Sequence, residues 1–216
     1  MKVTFPHMGQ VYLAAKGLLD DLGVEVIIPP PITKKTLEIG TRLSPEMACL
    51  PLKINIGNYI ESIQRGTDTI LLSGSCGPCR FGYYGVVQKE ILNDLGYDID
   101  IIIFDPPDTG YREFIQRIKR VAGRNSWLNV ARAFKKASII VEEADELLEI
   151  GLKKRAREAN SGETDSRLYA FEREVIKCYG SYEILETIRK YKGILESIEE
   201  KTGVFPLKVG LVGEIY

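Results

Sequence analysis

Four cysteines and a single histidine are the groups in this 216-residue chain with the clearest chemical use. Two of them form the motif Cys76-Gly77-Pro78-Cys79, within Thr69–Gly85, TILLSGSCGPCRFGYYG. The apolar run Thr69–Leu72 reads as a buried strand, and from Tyr84 the apolar residues Val87, Ile91, Leu92 and Leu95 fall at helical spacing. The thiols therefore occupy a strand-to-helix turn, where an α/β sheet presents its ligands and where helix-start amides favour anionic sulfur. A C-x-x-C pair in such a turn fits a metal-cluster ligand pair, a redox dithiol, or a structural zinc or inert thiol pair. CGPC is also the thioredoxin tetrapeptide, but Ser75 stands where a thioredoxin has Trp, and the motif follows the third candidate strand.

Cys49 shifts the balance toward a cluster. It lies in Pro45-Glu46-Met47-Ala48-Cys49-Leu50-Pro51, one helix ahead of the central strand, so both cysteine loops can meet at one sheet edge. A dithiol enzyme has no need of a third thiol there, whereas an iron–sulfur cluster takes cysteine thiolates as ligands; the competing reading is a small buried hydrophobe. Cys178 completes a four-thiolate set if it reaches the site, but Phe171, Val175 and Tyr179 around it favour a packed thiol. His7 follows the first strand and belongs to the same edge, as a proton donor or a helix-end partner. Arg80 would offset the negative charge of a thiolate-ligated cluster. Lys53 and Asn55 are polar residues near the start of the helix after Cys49 and face the same site in the sharper reading. The run Lys153-Lys154-Arg155-Ala156-Arg157 reads as a solvated helix face, with a docking patch for an acidic partner as its alternative.

The elements that must position these residues follow from the patterning. Lys2–Phe5 is a strand, Gln10–Leu22 an amphipathic helix stopped by Gly23, and Val24–Ile28 a second buried strand ended by three prolines. Such a βαβ opening pairs its strands in parallel through a right-handed crossover. Thr33–Ser44 is a polar segment, Leu52–Gln64 a helix, and Ile99–Phe104 a further strand. From Tyr111 to about Thr202 the pattern is helical, interrupted by the linker-like Glu158–Asp165. Leu207–Val212 then reads as a new strand. The expectation is a parallel Rossmann- or flavodoxin-like α/β domain over 1–108 that binds the cluster, a helical subdomain over 109–205, and at 206–216 the truncated start of a second α/β domain.

Composition narrows the classes. Lys and Arg total 29 against 30 Asp and Glu, so no general attraction to nucleic acid or anionic membrane is expected. No apolar run nears the ~18 residues of a membrane span. The opening MKVTFPHMGQ lacks a signal-peptide core, which predicts a cytoplasmic chain. One histidine argues against His-rich zinc sites. Neither G-x-x-x-x-G-K-[ST] nor G-x-G-x-x-G occurs, so nothing indicates nucleotide binding.

Phe5-Pro6-His7-Met8-Gly9, Ser44–Lys53 (SPEMACLPLK) and Ser73–Gly85 (SGSCGPCRFGYYG), with the closing VGLVGEIY, resemble one family across nearly the whole chain. It is the uncharacterised domain associated with CoA-substrate-specific enzyme activases, related to 2-hydroxyacyl-CoA dehydratase subunits and double-cubane-cluster proteins. The resemblance implies a cytosolic, oxygen-sensitive [4Fe-4S] protein of anaerobic metabolism, its cluster single or part of a double-cubane cluster. It implies ligation by Cys49, Cys76 and Cys79, with one iron left open. It also implies a partner activase dimer that hydrolyses ATP and injects a low-potential electron. In the dehydratases that electron makes a ketyl radical from an acyl-CoA thioester and permits loss of the β-hydroxyl. No acyl-CoA pocket is legible here, so the expected role is a cluster-bearing electron-transfer or reductase component, with a second dehydratase-like subunit or a second copy as further partner. The alternative is a thiol–disulfide oxidoreductase using CGPC. His7 and Arg80 are the candidate catalytic residues, and Cys49, Cys76, Cys79 and Cys178 the candidate metal ligands.

Overall fold

The fold is seen in a computed structural model that describes residues 1–74, 79–104, 110–203 and 205–210, the side chains of Arg80 and Phe81 excepted. It is α/β, with a four-stranded all-parallel sheet of the Rossmann/flavodoxin-like type and a helical part. Its elements are β1 (Lys2–Thr4), α1 (Val11–Asp21), β2 (Glu25–Val26), α2 (Lys34–Leu43), α3 (Leu50–Ile63), β3 (Thr69–Ser73), α4 (Tyr84–Asp94) and β4 (Asp100–Phe104). They are followed by α5 (Tyr111–Ala122), α6 (Trp127–Arg155), α7 (Glu163–Val175) and α8 (Gly180–Glu196).

The strand order is β2-β1-β3-β4, with Val3 opposite both Val26 and Thr69, and Leu72 opposite Ile103. The connections leave β1 and β3 in opposite directions, so the crevice between their carboxyl ends is the topological switch point, where open α/β sheets place ligands. His7 follows β1 there, and the CGPC motif follows β3 in the sequence.

Two compact units are distinguished, one of Met1–Tyr12 with Leu22–Val130, the other of Leu13–Asp21 with the described residues from Ala131 onward. In the first, Leu52, Ile56, Tyr59 and Ile60 of α3, Ile70 and Leu72 of β3, and Tyr84 and Leu92 of α4 form one buried cluster. The segment read from sequence as merely polar, Thr33–Ser44, is in fact the helix α2. Its start is a capping box in which Thr33 Oγ1 accepts the Thr36 N–H and Thr36 Oγ1 accepts the Thr33 N–H. Threonine rather than Glu or Gln completes the box, which is why the signal was missed.

Helices α2 and α3 pack antiparallel at backbone contact. A Cβ on Gly40 would lie 1.7 Å from the Lys53 carbonyl oxygen, and one on Gly57 1.9 Å from that of Thr36. Only glycine allows such an approach. The direction of α3 follows from its polar contacts. Ser62 lies beside Thr4 in β1, while Asn58 donates to the Pro30 carbonyl beyond the end of β2. Moving back along α3 therefore moves toward the carboxyl edge of the sheet, and Cys49 stands before its first turn, about 13 Å beyond Asn58 at 1.5 Å per residue.

In the second unit, α1 approaches α6 and α8 closely: a Cβ on Gly17 would come within 2.8 Å of Ile140 and 3.4 Å of Ile184. Tyr179 supplies no side-chain cap to α8. Instead Asp20 Oδ2 accepts the Gly180 N–H and Asp21 Oδ1 the Ser181 N–H, each at 3.0 Å, so the last residues of α1 satisfy the first amides of α8. Burial works to raise the Asp21 carboxyl, but the Ser181 hydrogen bonds and the Lys136 ammonium win and hold it below the usual carboxylate range. Lys16 pairs with Asp20 in a buried ion pair.

The stretch read as a linker, Glu158–Asp165, is an ordered turn. The Glu158 carboxylate accepts the N–H groups of Gly162 and Thr164 at the start of α7, and Glu158 bridges to Glu200. Leu207–Gly210 forms no strand, and Phe205, Leu207 and Val209 are exposed. Residues 211 and 212, the rest of the expected strand, lie outside the described residues. No helix among the described residues is long and apolar enough to cross a membrane.

Because α3 is held by contacts that exclude a Cβ, Gly40→Ala and Gly57→Ala are each expected to lower stability by about 3 kcal/mol in urea unfolding. Gly193→Ala, in open space on α8, is expected to raise it by about 0.5–1 kcal/mol.

Candidate thiol site

Cys49 is the N-cap of α3, in extended backbone geometry. An N-cap side chain ordinarily accepts from the N2 or N3 amide, but Pro51 has no N–H to give, and the thiol makes no capping bond. The sulfur turns instead to Tyr84, the first residue of α4, with Cys49 Sγ and Tyr84 Oη in hydrogen-bond contact. Cys79 lies five residues before Tyr84, as an exposed free thiol before the 3-10 turn Arg80–Tyr83. The fold thus carries Cys49, distant in sequence, to the helix that follows the CGPC motif in the chain. Cys76 and the Arg80 guanidinium lie outside the described residues. Among the described residues no three His, Cys, Asp or Glu side chains converge.

The remaining candidates are placed as follows. His7 is half-buried and stacks on Tyr12, ring centroids 5.0 Å apart and planes at 25°. Burial pushes its imidazole below the ordinary value of 6.5, partly offset by a backbone hydrogen bond, so it is neutral at pH 7 with one donor and one acceptor nitrogen. Lys53 donates to the Glu46 carbonyl at 3.0 Å and closes the turn that presents Cys49. Cys178 belongs to the helical unit, 3.2 Å from Thr187 Oγ1 and 3.7 Å from the Glu174 carbonyl oxygen.

Two residues stand out for what they lack. Asn55 on α3 and Gln88 on α4 are each 0% exposed, and neither amide oxygen nor nitrogen has a partner among the described residues. Leaving such groups unpaired costs about 1–3 kcal/mol apiece. Asn55 is six residues into α3 from Cys49, and Gln88 is one turn beyond Tyr84. Gln88 was missed in the sequence, although a polar residue at i+4 from Tyr84 and i−4 from Leu92, on the buried face of α4, was the available signal.

Two predictions follow from this geometry. Asn55→Leu and Gln88→Leu remove unpaired buried amides, so each is expected to stabilise the metal-free chain by about 1 kcal/mol in urea; a fall would mean that the amides are satisfied in solution. For His7, the unfolded chain binds a proton more readily than the folded one, so its contribution is intact above pH 6.5 and lost as pH falls through and below that value. His7→Gln should flatten the loss of stability between pH 7.5 and 5.5, above the range in which carboxylates titrate. Comparison of the chain with models of known protein families, with curated proteins and with solved structures finds no match in any of the three.

Proposed function

We propose that the chain is a cytoplasmic iron–sulfur protein of the 2-hydroxyacyl-CoA dehydratase/activase type, holding a [4Fe-4S] cluster through Cys49, Cys76 and Cys79. The observation that supports this reading is the contact of Cys49 with Tyr84. It puts a third thiol beside the helix that follows the CGPC motif in the chain, on the carboxyl side of the parallel sheet. A thiol–disulfide exchange centre makes no use of such a thiol; a cluster does.

The donor set fits the group: soft sulfur ligands, a helix N-terminus that favours negative charge, and two unpaired buried amides on the helices that begin at this edge. When bound, the cluster supplies a reversible one-electron centre, filled in this reading by an ATP-dependent activase and drained to a CoA thioester or another small substrate. The chain's own residues do the rest. The α2–α3 packing holds Cys49, the Lys53–Glu46 contact shapes its loop, and neutral His7 offers a proton donor and acceptor at the end of β1. Arg80 adjoins Cys79 in sequence and would balance ligand charge.

The test is iron, acid-labile sulfide and visible absorption on protein purified without oxygen. About four irons and four sulfides per chain are expected, with absorbance bleached by dithionite. Cys49→Ser is the informative variant, because serine is a better N-cap than cysteine and should leave α3 intact. It is expected to lose most bound iron at unchanged helical circular dichroism, as are Cys76→Ser and Cys79→Ser. Full iron retention in all three defeats the reading. An iron-free wild type that reduces insulin disulfides through Cys76 and Cys79, but not Cys49, would establish the oxidoreductase alternative.

A further inference from the structure

We propose that Tyr84 is a positioning residue for the Cys49 sulfur, its phenol donating the hydrogen bond that the helix cap withholds. The inference deepens the cluster reading and rests on it only for the electrochemical part. At a helix N-cap the side chain normally finds its donors in the first turn. Here Pro51 removes one of them and Cys49 makes no capping bond, so the sulfur depends on a donor from another element. Tyr84 supplies it: the side chain is 3% exposed, packs in the same buried cluster as Leu52 and Ile56, and has its hydroxyl at Cys49 Sγ. A buried phenol requires a polar partner, and a cysteine sulfur can accept from it.

The arrangement has two chemical consequences. In the metal-free chain, the phenol holds the Cys49 sulfur against the first turn of α4 and occupies one of its lone pairs, which restrains its attack on electrophiles. With a cluster bound, a hydrogen bond to a ligating sulfur withdraws charge from it and raises the reduction potential. Tyr84 touches neither substrate nor iron in this account; it acts through Cys49. Its place as the first residue of α4 couples the sulfur of one loop to the helix that follows the other.

Tyr84→Phe keeps the ring and its packing and removes only the donor. In reduced, metal-free protein at neutral pH, iodoacetamide alkylation of Cys49, followed by peptide mass spectrometry, is expected to quicken severalfold in the variant, because the sulfur is released from its partner. Cys178, which has its own partners in the helical unit, should react unchanged and serves as the internal control. In protein reconstituted with iron and sulfide without oxygen, the midpoint potential is expected to become more negative at unchanged iron content. A role confined to packing would move neither quantity, so equal alkylation rates together with equal potentials overturn the proposal. If the wild type takes up no iron, the cluster reading fails, and the alkylation comparison still decides the role of Tyr84. If the wild type binds iron and the variant matches it in both measurements, the cluster reading stands and Tyr84 is excluded.

Discussion

At two points, Gly40 against Lys53 and Gly57 against Thr36, the backbones of α2 and α3 come so close that no side chain fits between them. That contact sets the axial position of α3, and α3 sets the position of Cys49. Ser62 against β1 and Asn58 against Pro30 then orient the helix relative to the strands. The thiol is therefore placed by a chain of contacts that begins two turns away, at glycines with no chemistry of their own. Local stiffness of this kind fixes where the sulfur stands relative to the neighbouring helix.

The second unit shows the same economy in capping. The first amides of α8 are met by Asp20 and Asp21 at the end of α1, and the start of α7 by Glu158. Carboxylates outside the N-cap positions do the work of caps, and hydrogen bonds from those first amides help hold Asp21 and Glu158 below the usual carboxylate range. The helical part is thereby tied together through polar contacts as well as through its buried Ile140, Leu147, Phe171, Ile184 and Ile188.

Polar groups within the first unit divide into two kinds. Thr36 donates to the Glu61 carboxylate, Asn58 to the Pro30 carbonyl and Ser62 to the Asn58 carbonyl, and these serve the fold. Asn55 and Gln88 are bonded to nothing among the described residues and lower the stability of the fold as it stands. Both lie on helices whose N-termini approach the switch point of the sheet. Local departures from good packing tend to gather where a protein has a use for them.

Much of the architecture was legible in the residues. Alternating apolar runs and helical spacings marked β1, α1, β3, α4 and β4, because period and turn residues are local properties. The motif CGPC and the lone thiol at Cys49 were visible for the same reason. Three things were not. Helix α2 was hidden by a threonine capping box and by a stabilisation that comes from its partner helix rather than its own composition. The turn at Glu158 looked like a linker because its cap is a carboxylate several residues ahead of the helix rather than at the N-cap, and its bridge to Glu200 is a long-range contact. Tyr84 looked like one more apolar residue on a helix face. The chain by itself determined which groups can bind metal or carry a proton, since that follows from side-chain type. Only the tertiary structure decided which of them meet, because the meeting of Cys49 with Tyr84 depends on a sheet order and a helix approach that act across a sequence separation of 35.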